Sequence, residues 1–388
     1  MGPLHRFPAS NMISLVGASP RHDLGESFGP ELLLGDLLDG GLLDGDRELA
    51  GFALGYGTAA GDPQLRAAIA AANGVTAEDV VVTAGGMHAL FLIAFTLCDP
   101  GDEVLTVAPL FPLARNALDA VGATVRVLPL SFDDGYRLDP ERLRAHLTPA
   151  TRLVSLASPQ NPSGVALPQA TVERVLEIMA EVAPGAHLLL DETYREAAFG
   201  DDPTPPSAAG LDPRVISVAS LSKCHGAAGL RIGWAISRDR ALVEQLVVGK
   251  FNTVLTCAGV SEQLALRVFE RADTILSPRR KQLAAALRTT ADWVERNAEL
   301  VEWVRPDAGA LCCVRLRPTA FPDSEVEPFY AALTAAGARV AQGAWFGDEA
   351  RVFRLGFGFL PAGELEVALE ALTMVLHQRA GTSGGRPS

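Results

Sequence analysis

The sequence predicts an α/β fold: a three-layer large domain, in which a mostly parallel sheet lies between helices, and a smaller α+β domain. Short runs of valine, isoleucine and leucine alternate with alanine- and leucine-rich helical stretches through the middle of the chain. A mostly parallel sheet follows, because each apolar strand needs both of its faces covered. After about residue 265 the alternation ends, and longer helices separate fewer strands.

The predicted elements begin as strand–helix pairs. DVVVTAG precedes MHALFLIAFTL, EVLTVAP precedes FPLARNALDAV, and TRLVSLASP precedes QATVERVLEIMAEV, while HLLLDETY and RVISVASLSK supply two more strands. Beyond them we expect a long helix from SEQLALRVFERA onward, a strand at LCCVRLR, a helix at about 324–336, a strand at VFRLGFG and a last helix ending near Arg379. Ligands of such sheets bind at the carboxyl ends of strands.

Four parts of the chain are expected from this order. Residues 1–44 form an N-terminal segment that joins the small domain and the substrate pocket, and residues 45–265 form the large cofactor-binding domain. Residues 266–380 form the small domain. Residues 381–388, GTSGGRPS, form a disordered tail because they are rich in glycine and serine.

Composition favours small-molecule chemistry. The net charge of −13 argues against binding to nucleic acid or to an anionic membrane, since both require a basic surface. The 5 cysteines form no CxxC pair, which indicates reduced thiols in a cytoplasmic protein and no metal site. The first 20 residues lack the apolar run of a signal peptide, and the apolar stretch 89–98 is too short to span a bilayer.

One lysine has an unusual setting. Lys223 lies among small, apolar and hydroxyl residues in VASLSKCHGAAGLRIGWAI, and the chain has only three lysines among its 33 basic residues. Chance is the simplest explanation. The chemical alternative is that an amine can lose its proton in a shielded site and attack a carbonyl, whereas a guanidinium stays charged. Lys223 is therefore a candidate to form a Schiff base with an aldehyde cofactor.

Several residues could hold the phosphate of such a cofactor. TAGGMHAL places Gly85 and Gly86 at a strand-to-helix turn, where backbone N–H groups can bind an anion. A plain turn between a strand and a helix uses the same residues. Ser220 and Ser222 flank the lysine, and Arg231 follows it by eight residues, which adds hydroxyl donors and a bidentate cation.

Other residues could hold the cofactor ring. Asp191 ends a very apolar strand in LLLDETYREAAF, where a helix N-cap or a satisfied ion pair is the simpler interpretation. Its functional interpretation is a partner for a protonated pyridine nitrogen, with Tyr194 reaching the ring hydroxyl. Asn161 in SPQNPSG could bind the same hydroxyl and a substrate carboxylate, although NPSG is also good turn sequence.

Taken together and in order, these motifs resemble those of class I/II aminotransferases, which are fold-type I enzymes dependent on pyridoxal phosphate. The resemblance spans nearly the whole chain. It implies that Tyr56 in LGYGTAAGDPQLRAAIA reaches the cofactor phosphate of a partner subunit, and that Phe111 in APLFP stacks on the ring. It also implies that Met87 binds the phosphate through its backbone. Arg354 in VFRLGFG would grip the substrate α-carboxylate, helped by the Gly17 N–H group.

The resemblance also implies a mechanism. Lys223, Asp191 and Tyr194 would be catalytic, with the cofactor joined to Lys223 as an aldimine. An L-amino acid would displace Lys223, which would then act as a general base, and the amino group would pass to a 2-oxo acid. A homodimer with active sites at its interface is expected. Gln342, His225 and the opening GASPRHDLGES depart from the usual pattern, which affects substrate identity more than the cofactor site.

Competing functions remain open at this point. The same cofactor chemistry could serve an amino-acid oxidase, a cyclase, a lyase or a decarboxylase, because the fold does not fix the reaction. A nicotinamide dehydrogenase is a second alternative, but the chain has TAGGMHAL rather than GxGxxG. A noncatalytic binding protein is a third, for which the set of lysine, aspartate, tyrosine and arginine would be needless.

A few polar residues have two interpretations. His22, Asp23 and Glu26 could bind a cationic substrate side chain such as a guanidinium, but a solvated surface loop is the favoured explanation. His88 is expected to be a core or capping histidine rather than a ligand. Trp345 and Phe346 could close the substrate pocket or pack between the domains.

Overall fold

The computed structural model of the chain describes residue 11, residues 20–33, residue 37 and residues 53–383. In these residues the strands are β1 (His22–Asp23), β2 (Val80–Thr83), β3 (Glu103–Ala108), β4 (Thr124–Pro129), β5 (Thr151–Ala157), β6 (His187–Asp191), β7 (Val215–Ser220), β8 (Gly233–Ser237), β9 (Val301–Val304), β10 (Leu311–Leu316), β11 (Ala338–Arg339), β12 (Ala341–Gln342) and β13 (Val352–Gly356). They form three sheets, of seven, four and two strands.

The helices alternate with the strands of the largest sheet and then dominate the second half of the chain. They are α1 (Pro63–Asn73), α2 (Gly86–Leu97), α3 (Pro112–Ala120), α4 (Pro140–Arg144), α5 (Gln169–Val182), α6 (Arg240–Val254), α7 (Gly259–Glu270), α8 (Ala272–Arg296), α9 (Val326–Ala335) and α10 (Ala362–Ser383). Within the described residues, no helix is both long and apolar enough to cross a membrane.

The seven-stranded sheet has the order β2-β8-β7-β6-β5-β3-β4. Four neighbouring pairs are parallel, and β8 alone runs antiparallel to its two neighbours. Alternate residues of β6 face opposite sides: Leu188 and Leu190 pack towards α4 and α5, whereas Leu189 packs towards α2 and α6. The predicted mostly parallel sheet covered on both faces is therefore confirmed.

This sheet brings the motifs of the sequence to one edge. β3, β5, β6 and β7 run in the same direction, so their carboxyl ends lie together. β6 ends at Asp191 and β7 at Ser220, while β3 is followed by Phe111. In an open α/β sheet, this is the edge at which ligands bind.

A smaller antiparallel sheet follows in the chain, with the order β12-β13-β10-β9. Helices α8, α9 and α10 pack against this sheet. They contribute Trp293, Phe329 and Leu372 to one apolar cluster with its strands. Arg354 of β13 lies opposite Cys313 of β10. The predicted domain boundaries at residues 44, 265 and 380 stay predictions. α10 continues to Ser383, and the rest of the predicted disordered tail, residues 384–388, lies outside the described residues.

The N-terminal strand is attached to this smaller unit. β1 pairs in parallel with β11, which places Asp23 next to Arg339. The Asp23 carboxylate is 1% exposed and accepts hydrogen bonds from Arg339 Nε at 3.1 Å and from the Gly25 N–H group at 3.0 Å. The favoured expectation of a solvated surface loop is therefore wrong for Asp23, because a buried ion pair holds it.

Residues 24–28 then run along β13. Gly356 donates its N–H group to the Leu24 carbonyl at 2.8 Å, and Arg354 donates to the Gly25 carbonyl at 2.6 Å. The approach is close at Gly356, where a Cβ atom would lie 1.6 Å from the Glu26 carbonyl oxygen. Glycine at this position allows the N-terminal segment to reach the carboxyl edge of the large sheet.

Substitution Gly356→Ala should push residues 24–28 away from β13. We expect a loss of about 1–3 kcal/mol in the free energy of unfolding, the usual cost of overpacking. Gly363→Ala is the matched control, because a Cβ atom at Gly363 meets nothing within 4 Å and alanine favours the helix. Denaturant unfolding followed by tryptophan fluorescence measures both variants. Equal stability of the two would contradict this account of Gly356.

Candidate active site

A cleft of about 320 Å³ opens at the carboxyl edge of the large sheet. Most of the residues predicted for cofactor binding line it: Gly86, Met87, Phe111, Asn161, Asp191, Tyr194, Ser220, Ser222, Lys223 and Arg231. These residues are up to 145 positions apart in the chain (231 − 86), but they lie at the same edge of the sheet. The cleft can therefore hold a ligand of the size of a substituted pyridine with a phosphate group.

Lys223 lies between the cofactor cleft and the N-terminal segment. Its Nζ atom donates a hydrogen bond to Ser27 Oγ at 3.1 Å and lies 4.8 Å from the centre of the Phe28 ring. Burial, together with the positive charge of Arg354, lowers the pKa of Lys223 to about 8. An appreciable fraction of the amine is therefore neutral near physiological pH, which is the form that attacks an aldehyde.

Asp191 has little compensation for its charge. Its Oδ1 atom accepts one hydrogen bond, from the Thr193 N–H group at 3.0 Å, and no ion pair to it occurs among the described residues. Burial raises its pKa. The residues after it form turns rather than a helix, so neither an N-cap nor a satisfied ion pair accounts for it. A cationic ring nitrogen would supply the missing partner.

Tyr194 presents an unpaired hydroxyl to the same cleft. The side chain is 5% exposed, and its Oη atom has no hydrogen-bond partner in the described part of the chain. Burial raises the pKa of Tyr194 to about 12, while the charge of Arg354 acts in the opposite direction. The hydroxyl therefore stays protonated and can donate to a ligand oxygen.

Backbone N–H groups and a guanidinium meet at the start of α2. No side chain caps this helix, so the N–H groups of its first turn are available to an anion. Gly85 has φ 84°, and a Cβ atom there would lie 2.3 Å from Arg231 Nη2. Gly86 faces Ser220, whose Oγ atom would be 3.7 Å from an added Cβ. Because Gly85 and Gly86 have no Cβ atoms, there is space between the start of α2, Ser220 and Arg231 for a phosphate, and this space is called the phosphate cup.

His88 holds the strand that leads into this cup. Its Nδ1 atom accepts the Ala84 N–H group at 3.1 Å, and its Nε2 atom lies 3.1 Å from Thr253 Oγ1. Because Nδ1 accepts, the ring proton is on Nε2, which donates to Thr253. Burial, with the charge of Lys250, lowers the pKa of His88. His88 is thus a capping histidine, one of the two roles expected for it.

Arg354 of the small sheet contacts Asn161, which lines the cleft. It is 1% exposed and donates to Asn161 Oδ1 at 2.9 Å from Nη1 and to the Gly25 carbonyl at 2.6 Å from Nη2. Its guanidinium carbon lies 5.0 Å from the ring centre of Phe346, and its Nε atom has no partner among the described residues. Burial lowers its pKa. A substrate carboxylate would neutralise this charge.

Among the described residues, three of the predicted site residues are not part of the cleft lining: Tyr56, Gly85 and Arg354. Tyr56 is 87% exposed and is not part of the lining, so its role towards a partner subunit stays a prediction. Gly17 lies outside the described residues. Sequence reasoning missed Ser27 and Phe28, which contact Lys223 from 196 and 195 positions away in the chain. No spacing rule relates residues so far apart, so only the fold could reveal them.

The chemistry of these groups fits pyridoxal phosphate. Asp191 would hold the ring nitrogen, and Tyr194 and Asn161 would hold the ring hydroxyl. The cup at Gly86 and Arg231 would hold the phosphate, which leaves Lys223 beside the aldehyde. The unpaired Tyr194 hydroxyl and the barely compensated Asp191 are the observations that support this fit.

Comparisons with known proteins agree with this arrangement. The family of class I and II aminotransferases matches residues 46–372. An arginine–pyruvate transaminase of Pseudomonas aeruginosa is 34% identical over 63% of this chain and 62% of its own length, so less than two thirds of that enzyme is matched. A capreomycidine synthase of Streptomyces vinaceus is 32% identical over 88% of this chain and 86% of its own length.

Solved structures are also similar. The crystal structure of a pyridoxal phosphate-dependent aminotransferase of Streptococcus suis has 26% identity and a TM-score of 0.84, and the alignment covers 95% of both chains. The similarity therefore extends to both the large and the small sheet.

The pKa of Lys223 predicts how apoprotein captures the cofactor. Only the neutral amine is nucleophilic, so the rate of covalent capture should rise with pH about a midpoint near 8 instead of the ordinary 10.5. Absorbance of apoprotein mixed with pyridoxal phosphate measures the rate. Lys223→Arg is the control and should show no capture at any pH. A midpoint near 10.5 in the wild type would contradict a shielded amine.

The hydrogen bond of His88 predicts a loss of cofactor affinity in acid. Because the folded-state pKa of His88 lies below its usual 6.5, the ring stays neutral and keeps its hydrogen bond until the pH falls below that lowered pKa. We expect the dissociation constant of the cofactor to rise by about fivefold, the effect of one lost hydrogen bond. His88→Gln can still accept the Ala84 N–H group without titrating. The acid loss measured by fluorescence quenching should therefore be smaller in this variant, and an equal loss would refute the assignment.

Proposed function

Because this chain belongs to the class I and II aminotransferase family, we propose that it transfers the amino group of an L-amino acid to a 2-oxo acid. Pyridoxal phosphate is its cofactor. One observation carries the proposal: the Lys223 amine lines the cleft, and the buried guanidinium of Arg354, which has no acidic partner among the described residues, donates a hydrogen bond to Asn161 of the same lining.

The cofactor would be held by groups on five strand ends. Asp191 pairs with the ring nitrogen, Tyr194 and Asn161 bind the ring hydroxyl, and Phe111 stacks on the ring. The phosphate is bound by a further set of groups: Gly85, Gly86, Met87, Ser220, Ser222, Arg231 and, from a partner subunit, Tyr56. When bound, the cofactor supplies an electron sink that acidifies the α-carbon of an amino acid.

The chain itself binds the substrate and moves a proton. Arg354 and Asn161 bind the α-carboxylate, with Gly17 as a further donor, which fixes the α-carbon near Lys223. Lys223 takes the proton from the substrate α-carbon. It then delivers that proton to the carbon atom on the other side of the amino nitrogen. A pKa of about 8 suits both tasks near neutral pH, since the amine accepts and releases protons readily there.

A homodimer in the cytoplasm is part of the proposal. Tyr56 is 87% exposed in the single chain, so its side chain is available to reach the cofactor phosphate of a partner subunit. The five cysteines are all buried and unpaired, which suits a reducing compartment.

Ring closure is a second candidate function. The observation that favours it is the similarity to capreomycidine synthase, which extends over 88% of the chain. Both reactions would use Lys223 to remove the α-proton. They differ in their need for an acceptor, because transamination needs a 2-oxo acid and ring closure does not.

A screen of amino acids with purified holoprotein separates these functions. We expect 2-oxo acid formation that requires an added 2-oxo acid acceptor, measured with ammonia release and oxygen uptake. A cyclic product without an acceptor would favour ring closure, and oxygen uptake would favour oxidation. Lys223→Ala should lower turnover by at least about 10²–10⁴-fold, because it lacks the proton-transfer group.

Peptide mapping tests the assignment of Lys223 independently of turnover. Borohydride reduction of the holoprotein should leave the cofactor mass on the peptide that contains Lys223. Lys281→Ala is the control and should keep the label. A label on another residue, or none, would refute the assignment.

A further inference from the structure

Ser27 contacts the amine to which the proton transfer is assigned. Lys223 Nζ donates a hydrogen bond to Ser27 Oγ at 3.1 Å, and no other hydrogen bond or ion pair to this amine occurs among the described residues. Ser27 is only 5% exposed. The contact is therefore shielded from bulk water, where a hydrogen bond is electrostatically stronger than at the surface.

The position of Ser27 is fixed from both sides. Before it, the Gly25 carbonyl accepts a hydrogen bond from Arg354 Nη2 at 2.6 Å. After it, the ring of Phe28 packs edge-on against Phe359, with the two ring centres 5.4 Å apart. A hydroxyl held in this way can orient the side chain of a lysine, which otherwise has many rotamers.

Little space surrounds the amine on the side of this contact. A cavity of about 20 Å³ is lined there by residues that include Ser27, Phe28, Tyr194, Lys223 and Cys224, and it has room for about one water molecule. The centre of the Phe28 ring lies 4.8 Å from Lys223 Nζ. Solvent therefore cannot form a full hydration shell around the amine, and Ser27 supplies the hydrogen bond instead.

The acceptor is a neutral hydroxyl, which suits an amine that must gain and lose a proton. A carboxylate in hydrogen-bond contact would strongly favour the ammonium form. A hydroxyl accepts an N–H bond from the ammonium and from the neutral amine alike. With one N–H group bound to Ser27, the lone pair of the neutral amine points away from Ser27. Lys223 also lines the cleft, where the substrate would lie.

We propose that Ser27 is a further catalytic residue, whose hydroxyl holds the Lys223 amine whenever that amine is not joined to the cofactor and so directs it at the substrate α-carbon. The inference rests on the proposed function, because the α-carbon belongs to an amino-acid substrate. The hydrogen bond itself exists without a substrate, so it can also be tested in the apoprotein.

The first readout is the pH midpoint at which the apoprotein captures pyridoxal phosphate covalently. The hydrogen bond to Ser27 favours the charged form of the amine, so Ser27→Ala should lower the pKa of Lys223 further. We expect the midpoint to fall by about one pH unit relative to the wild type. The charged groups that act on the amine from the surrounding elements stay in place in this variant: Arg354 of β13, Glu26 of the N-terminal segment, Arg231 before β8 and Asp191 of β6.

Two further variants control this measurement. Ser27→Thr keeps a hydroxyl at the same position, so its midpoint should lie closer to the wild type than that of Ser27→Ala. Ser324→Ala removes an exposed serine of the small unit and should leave the midpoint unchanged. An unchanged midpoint in Ser27→Ala would overturn the proposal.

Turnover of the holoenzyme is the second readout. With the amino donor that the wild type uses best, Ser27→Ala should lower kcat by about tenfold to about a hundredfold, the effect of a misplaced reacting group, with little change in KM. Deuterium at the α-carbon of that donor should slow Ser27→Ala more than the wild type, because proton transfer becomes the slower step.

A purely structural role of Ser27 predicts a different result. Loss of its packing would displace Gly25 and Arg354, which would raise KM and leave kcat and the isotope effect unchanged, and this outcome would also overturn the proposal. If the wild type reacts with no amino donor, the proposed function fails. The capture midpoint of the apoprotein would still decide whether Ser27 holds the amine.

Discussion

The buried guanidinium of Arg354 is the constraint on which the arrangement of the site depends. It is 1% exposed, so its donors need partners, and its two terminal nitrogens find them in different parts of the chain. Asn161 follows a strand of the large sheet, Gly25 belongs to the N-terminal segment, and Arg354 itself lies in the small sheet. One charge therefore joins three units around the cleft, since an unpaired buried charge would cost several kcal/mol.

The remaining polar groups are arranged for charges that a ligand brings. Asp191 has one hydrogen bond, and Tyr194 Oη and Arg354 Nε have no partner within the described residues. Groups of this kind are costly in a folded protein unless a ligand completes them. The polar groups that lack partners thus match the charges and hydroxyl of an amino acid and a phosphorylated pyridine. Lys223 is the amine at the place where these two molecules would meet.

The N-terminal segment joins the site to the small sheet. Its attachment depends on the buried pair of Asp23 and Arg339 and on the close approach at Gly356. The same attachment carries Ser27 to Lys223. The surroundings of the Lys223 amine are therefore linked to the packing of the small sheet, because the residues that hold the segment in place also determine where Ser27 lies.

The sequence by itself determined the family, the fold type and the cofactor, all of which are confirmed, because these depend on local patterns. Alternating apolar residues define strands with two covered faces, and the segments that follow these strands place Gly86, Asp191 and Lys223 at one edge. Only the tertiary structure decided how Ser27, Phe28 and the pair of Asp23 and Arg339 contribute. Ser27 and Lys223 are 196 positions apart, and local spacing carries no information about contacts that arise when two sheets pack together.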